Sequence, residues 1–103
     1  MKKRQVRFLA TASADVTSIF DWIGEVVNQP ATARSFILRI YERCEQLADF
    51  PELGVARDDL LPGLRFLSFE NRIAIFYVIR DKEIQITNVF YRGRDYDSFD
   101  FQN

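Results

Sequence analysis

Four arginines and two candidate proton carriers share the C-terminal third of the chain. Arg65, Arg72, Arg92 and Arg94 could pool positive charge, Glu70 and Tyr91 lie between them, and Asp95 follows directly. Charge of this kind suits two jobs. One is contact with a macromolecular partner. The other is cleavage of RNA through its 2'-hydroxyl, which needs a base for that proton, cations for the pentavalent phosphate and an acid for the leaving oxygen. The chain has no histidine, so a histidine base is excluded. Tyrosine is a poor base at neutral pH without a large pKa shift. No complete acid–base set assembles from Tyr91, Glu70 and the lysines. The bland alternatives stand beside these readings. Arg65, Arg72 and Arg80 could be solvated outward residues of strands, and Arg94 with Asp95 a local ion pair, which would add little stability if exposed.

Composition narrows the choice further. A chain of 103 residues with net charge −1 and a pI near 5.4 is not the usual nucleic-acid binder, and RNA repels an acidic protein that lacks a strong local patch. One cysteine, Cys44, permits no internal disulfide, and with no histidine it argues against a zinc site; neither metal nor cofactor is expected. The basic start, MKKRQVRFLATASA, has too short and too interrupted an apolar stretch for a signal peptide, and no apolar span is long enough to cross a bilayer. The length and composition predict one domain over residues 1–103, in the cytoplasm.

The elements that must position these residues are legible from periodicity. Leu64–Phe69, Arg72–Arg80 and Ile84–Tyr91 are rich in Ile, Val, Phe and Tyr and are separated by breaks at Glu70-Asn71 and Asp81-Lys82. They predict a three-stranded antiparallel meander. Its middle strand is apolar on both faces, Ile73, Ile75, Tyr77 and Ile79 on one and Ala74, Phe76 and Val78 on the other, so it is central. Alternation blurs at Thr87-Asn88-Val89, the mark of a bulge.

Upstream, Lys3–Leu9 reads as a strand. A helix follows from an N-cap at Thr11 or Ser13 to Val27, with Asp15 placed for the helix dipole and Trp22 covering the core rim. Gly24 within it would be explained by close approach of a second helix. Asn28-Gln29-Pro30 stops the first helix and starts the next, which runs to about Ala48 with Ala33, Phe36, Ile37, Ile40, Cys44 and Leu47 on its apolar face. The expected fold is α+β: an N-terminal strand, a helical hairpin on one sheet face, then the meander, with the other face partly open.

Several pieces in this order resemble a known group: Phe50-Pro51-Glu52-Leu53-Gly54 after the second helix, Leu61-Pro62-Gly63-Leu64-Arg65 at the entry to the sheet, Phe76-Tyr77 in its middle strand, and Val89-Phe90-Tyr91-Arg92-Gly93-Arg94-Asp95 at its end. Together they resemble the RelE/ParE superfamily of bacterial toxins, and within it the ParE branch. Members of that branch carry a histidine where this chain has Tyr91, followed by an Arg-Asp pair matching Arg94-Asp95. The departure at Tyr91 puts in doubt any role needing a titrating group there. The resemblance implies the toxin of a type II toxin–antitoxin pair, acting on DNA gyrase without being an enzyme, in plasmid stabilisation or stress response. The alternatives it leaves are a RelE-like ribosome-dependent endoribonuclease and a toxin-fold binding module without activity. It also implies a cognate antitoxin covering the helical hairpin and part of the sheet, and operator DNA bound only through that antitoxin. The target-binding residues it suggests are Arg65, Arg72, Tyr91, Arg92, Arg94 and Asp95.

Overall fold

The computed structural model describes residues 4–26 and 28–91. Strand β1 (Gln5–Phe8) leads into helix α1 (Ala10–Asp21), which continues as a π-helical turn over Trp22–Val26. Helix α2 (Pro30–Glu45) ends in a 3-10 turn, Gln46–Ala48. Then come β2 (Val55–Ala56), β3 (Leu64–Phe69), β4 (Ile73–Ile79) and β5 (Glu83–Tyr91). The five strands form one sheet in the order β1-β5-β4-β3-β2. The meander stands as read, with β4 at its centre. The sequence did not announce β2, a two-residue strand antiparallel to β3, nor that β1 pairs parallel to β5.

The alternation along β4 sorts the core into two layers. Ile73, Ile75 and Tyr77 join Val16, Ile19, Phe36, Ile40 and Leu47 beneath the helices. Cys44 sits in the same layer, and burial pushes its thiol up to about 12, so it is an inert core residue. The opposite sheet face, expected to be partly open, is instead a second buried cluster. Leu64, Ala74, Phe76, Val78 and Phe90 are packed there with Leu60, Leu61 and Phe66. The loop before β3 supplies Leu60 and Leu61, so that face is covered and not free for binding. The tail, residues 96–103, whose aromatics could return to this face, lies outside the described residues.

The bulge is where the sequence placed it. Phe76 is opposite Asn88 while Tyr77 is opposite Ile86, which leaves Thr87 as the extra residue. Helix α1 is stitched to this irregularity. Thr11 donates its hydroxyl to the Thr87 carbonyl (2.6 Å), and the Asp15 carboxylate accepts from the Val89 N–H (2.9 Å). The expected caps are thereby corrected. Leu9 occupies the N-cap position without a side-chain bond, and the polar groups of Thr11 and Asp15 are spent on the sheet. A ladder interrupted by a bulge leaves backbone groups unpaired, and buried ones must find partners.

Helix α1 also departs from expectation at its end. The regular helix stops at Asp21, the π turn follows, and Asn28 closes it with φ 60°. Asn tolerates that left-handed geometry better than most residues. Gly24 is not compelled by helix contact: an added Cβ would lie 4.0 Å from the Ala33 Cβ, an ordinary separation.

Candidate functional site

Of the six residues singled out from the sequence, the structure describes Arg65, Arg72 and Tyr91, and it separates Arg65 from the other two. Arg92, Arg94 and Asp95 lie outside the described residues. Arg65 and Arg72, two candidates of the same type, belong to opposite ends of the β3–β4 ladder, since Arg65 is opposite Tyr77 and Arg72 precedes Ile73, which is opposite Tyr91. Four residues of strand separate those levels, roughly 13 Å.

At the first end, Tyr77, Arg65 and the backbone of the Phe50–Gly54 turn are bonded to one another. The Tyr77 hydroxyl accepts from the Gly54 N–H (2.8 Å) and donates to the Pro51 carbonyl (2.7 Å). Arg65 donates through Nη2 and Nε to the Gly54 carbonyl at 2.6 and 3.1 Å, and through Nη2 to the Glu52 carbonyl at 3.3 Å. The Phe50–Gly54 turn is therefore pinned by Tyr77 from below and by Arg65 from the side. Gly54 is required there, because a Cβ would come within 2.6 Å of the Phe66 carbonyl and 2.8 Å of the Tyr77 hydroxyl. Tyr77 is fully buried, as its place in β4 implied. The structure gives Arg65 a structural task, and sets it apart from the other candidates.

At the second end, the surface is open. Tyr91 packs against Trp22 with ring centroids 5.2 Å apart, and Trp22 remains 44% exposed. The two rings form a ridge with a groove on either side. One groove, about 440 Å³, runs between α1 and the end of β5 and is lined by Asp15, Ser18, Ile19 and Val89. The other, about 680 Å³, is bounded by Ile23, Phe36, Gln29, Thr32, Arg39 and Arg72. Arg72 makes no ion pair among the described residues. It stands beside Tyr91 at the point where the chain continues into Arg92, Gly93 and Arg94.

Arg39 lines the larger groove and is paired with Glu70. The guanidinium meets the carboxylate at 2.9 and 3.3 Å and lies over the Phe36 ring, 5.3 Å from its centroid. The hydrogen bond from Arg39 holds the Glu70 carboxyl below its ordinary range, with lesser help from the Arg39 and Arg72 charges. Glu70 and Asn71 both have positive φ, 50° and 58°, so this turn is a fixed, partly strained object. A carboxylate held ionised in this way is a weak base and a poor reservoir of protons. Among the described residues, no three or more acidic, Cys or His side chains gather as a metal would require.

Trp22 and Arg39 are the participants that sequence reasoning did not select. Trp22 had been assigned to the core rim. It is at the rim, but the π turn places its ring on the protein surface against Tyr91, and such turns recur at functional sites. The sequence signal was the weak helix former Gly24 two residues on. Arg39 carried no signal, since its pairing with Glu70 depends on tertiary packing.

With this geometry in place, relatives can be compared. The family model for the ParE toxin of the type II toxin–antitoxin system parDE matches residues 6–96. The chain belongs to the ParE toxin family. Among solved structures, a chain of the chromosomal ParDE toxin–antitoxin system of P. aeruginosa superimposes with a TM-score of 0.75 at 26% identity, over 86% of this chain and 96% of that one. Comparison with curated proteins found no match. The ParE match takes in the Phe50–Gly54 turn, the Trp22–Tyr91 ridge and the Arg94-Asp95 pair.

Proposed function

We propose that this ParE-family toxin acts by binding, with DNA gyrase as its target, and that the surface around Trp22, Arg72 and Tyr91 makes the contact, continued by Arg92, Arg94 and Asp95. One observation carries the reading. The open end of the sheet offers two grooves, an aromatic ridge and the cation Arg72, which has no ion pair among the described residues, while the Glu70 carboxylate is tied to Arg39. That is a recognition surface, and an unsuitable place to move protons. A bound toxin would hold gyrase within its DNA cleavage and resealing cycle and stall replication. The RelE-like ribonuclease remains the competing reading. It loses ground because Glu70, one of its acid–base candidates, is engaged by Arg39, whose hydrogen bond lowers its basicity.

A cognate antitoxin would silence the toxin by covering the helical hairpin. Leu38 and Tyr41 on α2 are exposed together with Trp22, and an apolar partner face would remove them from water. Control of the operon would run through the antitoxin's own DNA contacts, and the pair would serve plasmid stabilisation or a stress response. No helix among the described residues is long and apolar enough to cross a membrane, which agrees with a target in the cytoplasm.

The test is a supercoiling assay with purified gyrase, ATP and relaxed plasmid, run beside a messenger-cleavage assay with programmed ribosomes. Lost supercoiling with intact messenger is the expected result. Cut messenger with unaffected gyrase would move the chain to the ribonuclease side.

A further inference from the structure

The two outer strands of the sheet are unlike each other in a way that suits a second copy of the same chain. β2 ends the sheet on one side and β1 on the other, and among the described residues no strand pairs with either outer side. The Arg57 N–H bonds inward to the Leu64 carbonyl, so Ala56, one residue earlier, turns its N–H and C=O outward. On β1, the Gln5 and Leu9 N–H groups bond to the Lys82 and Ile86 carbonyls, so Val6 and Phe8 present theirs to the outside.

The side chains along these edges differ in sign. Beside β2, Phe50 and Val55 are 64% and 62% exposed, Leu53 is exposed with them, and the three form an apolar strip. Arg57 is tied to Asp59 and Arg65 to backbone carbonyls, while Glu52 and Asp58 have no ion pair among the described residues. Beside β1, Arg4 donates to the Arg80 carbonyl, with no carboxylate partner among the described residues, and Arg80 and Lys82 are exposed next to it. Arg7 is already matched by Glu83. Asp58 also accepts from the Gly63 N–H, and Asp81 is exposed between Arg80 and Lys82, so the balance of charge is acidic at the apolar edge and basic at the other. Exposed edges are ordinarily protected, and charge at one edge does not protect it against an edge of opposite charge.

We propose that the free chain associates with itself edge to edge, β2 of one copy receiving β1 of the next, with Glu52 and Asp58 facing Arg4, Arg80 and Lys82. The contact is heterologous: each added copy leaves one edge of each kind free, so assembly does not stop at a dimer. This surface is separate from the Trp22–Tyr91 ridge, and its failure would leave the gyrase reading untouched.

Sedimentation velocity on the free chain decides it, over a concentration series at low and high salt. The expected result is an average mass that climbs with concentration and falls as salt screens the edges. Glu52→Lys alone and Arg4→Glu alone should each shift the series to about tenfold higher concentration, because like charges then meet. An equimolar mixture of the two variants should associate again, since each supplies the edge that the other needs. Circular dichroism melts confirm that both variants fold. A monomer at all concentrations would overturn the proposal. So would association unchanged by both variants, which would assign it to another surface. Protection of residues 50–56 from hydrogen exchange only in the antitoxin complex, with the free chain monomeric, would give this edge to the antitoxin instead.

Discussion

Arg65 and Arg72 look interchangeable in the sequence, each an arginine beside an apolar run of the same hairpin. Their surroundings are opposites. Arg65 gives its hydrogen bonds to the Glu52 and Gly54 carbonyls beside a buried tyrosine, and closes a turn. Arg72 lines an open groove next to an exposed tryptophan and a tyrosine. One end of the ladder has settled its polar groups internally, and the other keeps a cation and an aromatic ridge at the surface. The lesson is that backbone carbonyls decide the role of an arginine as much as acidic partners do. Both turns are closed by a backbone N–H at 3.1 Å, Leu53 on Phe50 and Arg72 on Phe69, but only the first also offers the Glu52 and Gly54 carbonyls to an arginine side chain.

The sharpest way to break this contrast is at Gly54. Gly54→Ala forces a Cβ against the Phe66 carbonyl and the Tyr77 hydroxyl, and neither the strand nor the buried ring can move cheaply. A loss of about 3 kcal/mol in unfolding free energy is expected from urea titration. If the loss is below 1 kcal/mol, the turn is not the rigid object described. Next comes Tyr77→Phe, which strips two hydrogen bonds and strands the buried Gly54 N–H, for about 2 kcal/mol by the same measurement. Arg65→Gln should cost about 1–2 kcal/mol, while Arg72→Gln stays within about 0.5 kcal/mol of the parent. Equal losses for the two arginines would erase the distinction between the ends.

The smallest effect concerns pH. Glu83 accepts from Arg7 and Gln85, and these bonds, Arg7 first, bring its carboxyl to about 2 from an ordinary 4.5. A depressed folded-state pKa contributes stability above the unfolded value and loses it as pH falls through the folded one. The melting temperature of the parent should therefore drop between about pH 4.5 and pH 2 more than that of Glu83→Gln, and the two curves should converge at the acid end. The pair is solvent-exposed, so added salt should shrink the difference. Parallel curves across that window would remove Glu83 from the account.

Much of the fold was legible because the physics behind it is local. The period-2 pattern of β4 gave both core layers, and the lapse at Thr87-Asn88-Val89 gave the bulge. What stayed hidden depends on distant parts of the chain. Val55-Ala56 is too short to have a period, and becomes a strand only because β3 offers it an edge. Thr11 and Asp15 have the composition of caps, yet the bulge 76 and 74 residues away claims them. The second sheet face was read as partly open because Leu60 and Leu61, with no periodic neighbours, gave no sign that they would pack against it. The candidate site divides in the same way. Arg72 and Tyr91 were identified by charge clustering and the family pattern, whereas Trp22 reaches them through a π turn and Arg39 through a pair with Glu70. Gly24 hints at the first step, and nothing in single-chain patterning encodes the second.

The most direct test of the account is gyrase supercoiling in the presence of three proteins: the parent chain, Arg65→Gln and Arg72→Gln, each used at a temperature where its melt shows it folded. The account predicts that the parent and Arg65→Gln both block supercoiling while Arg72→Gln does not. Equal inhibition by all three, or inhibition lost in Arg65→Gln and kept in Arg72→Gln, would contradict it.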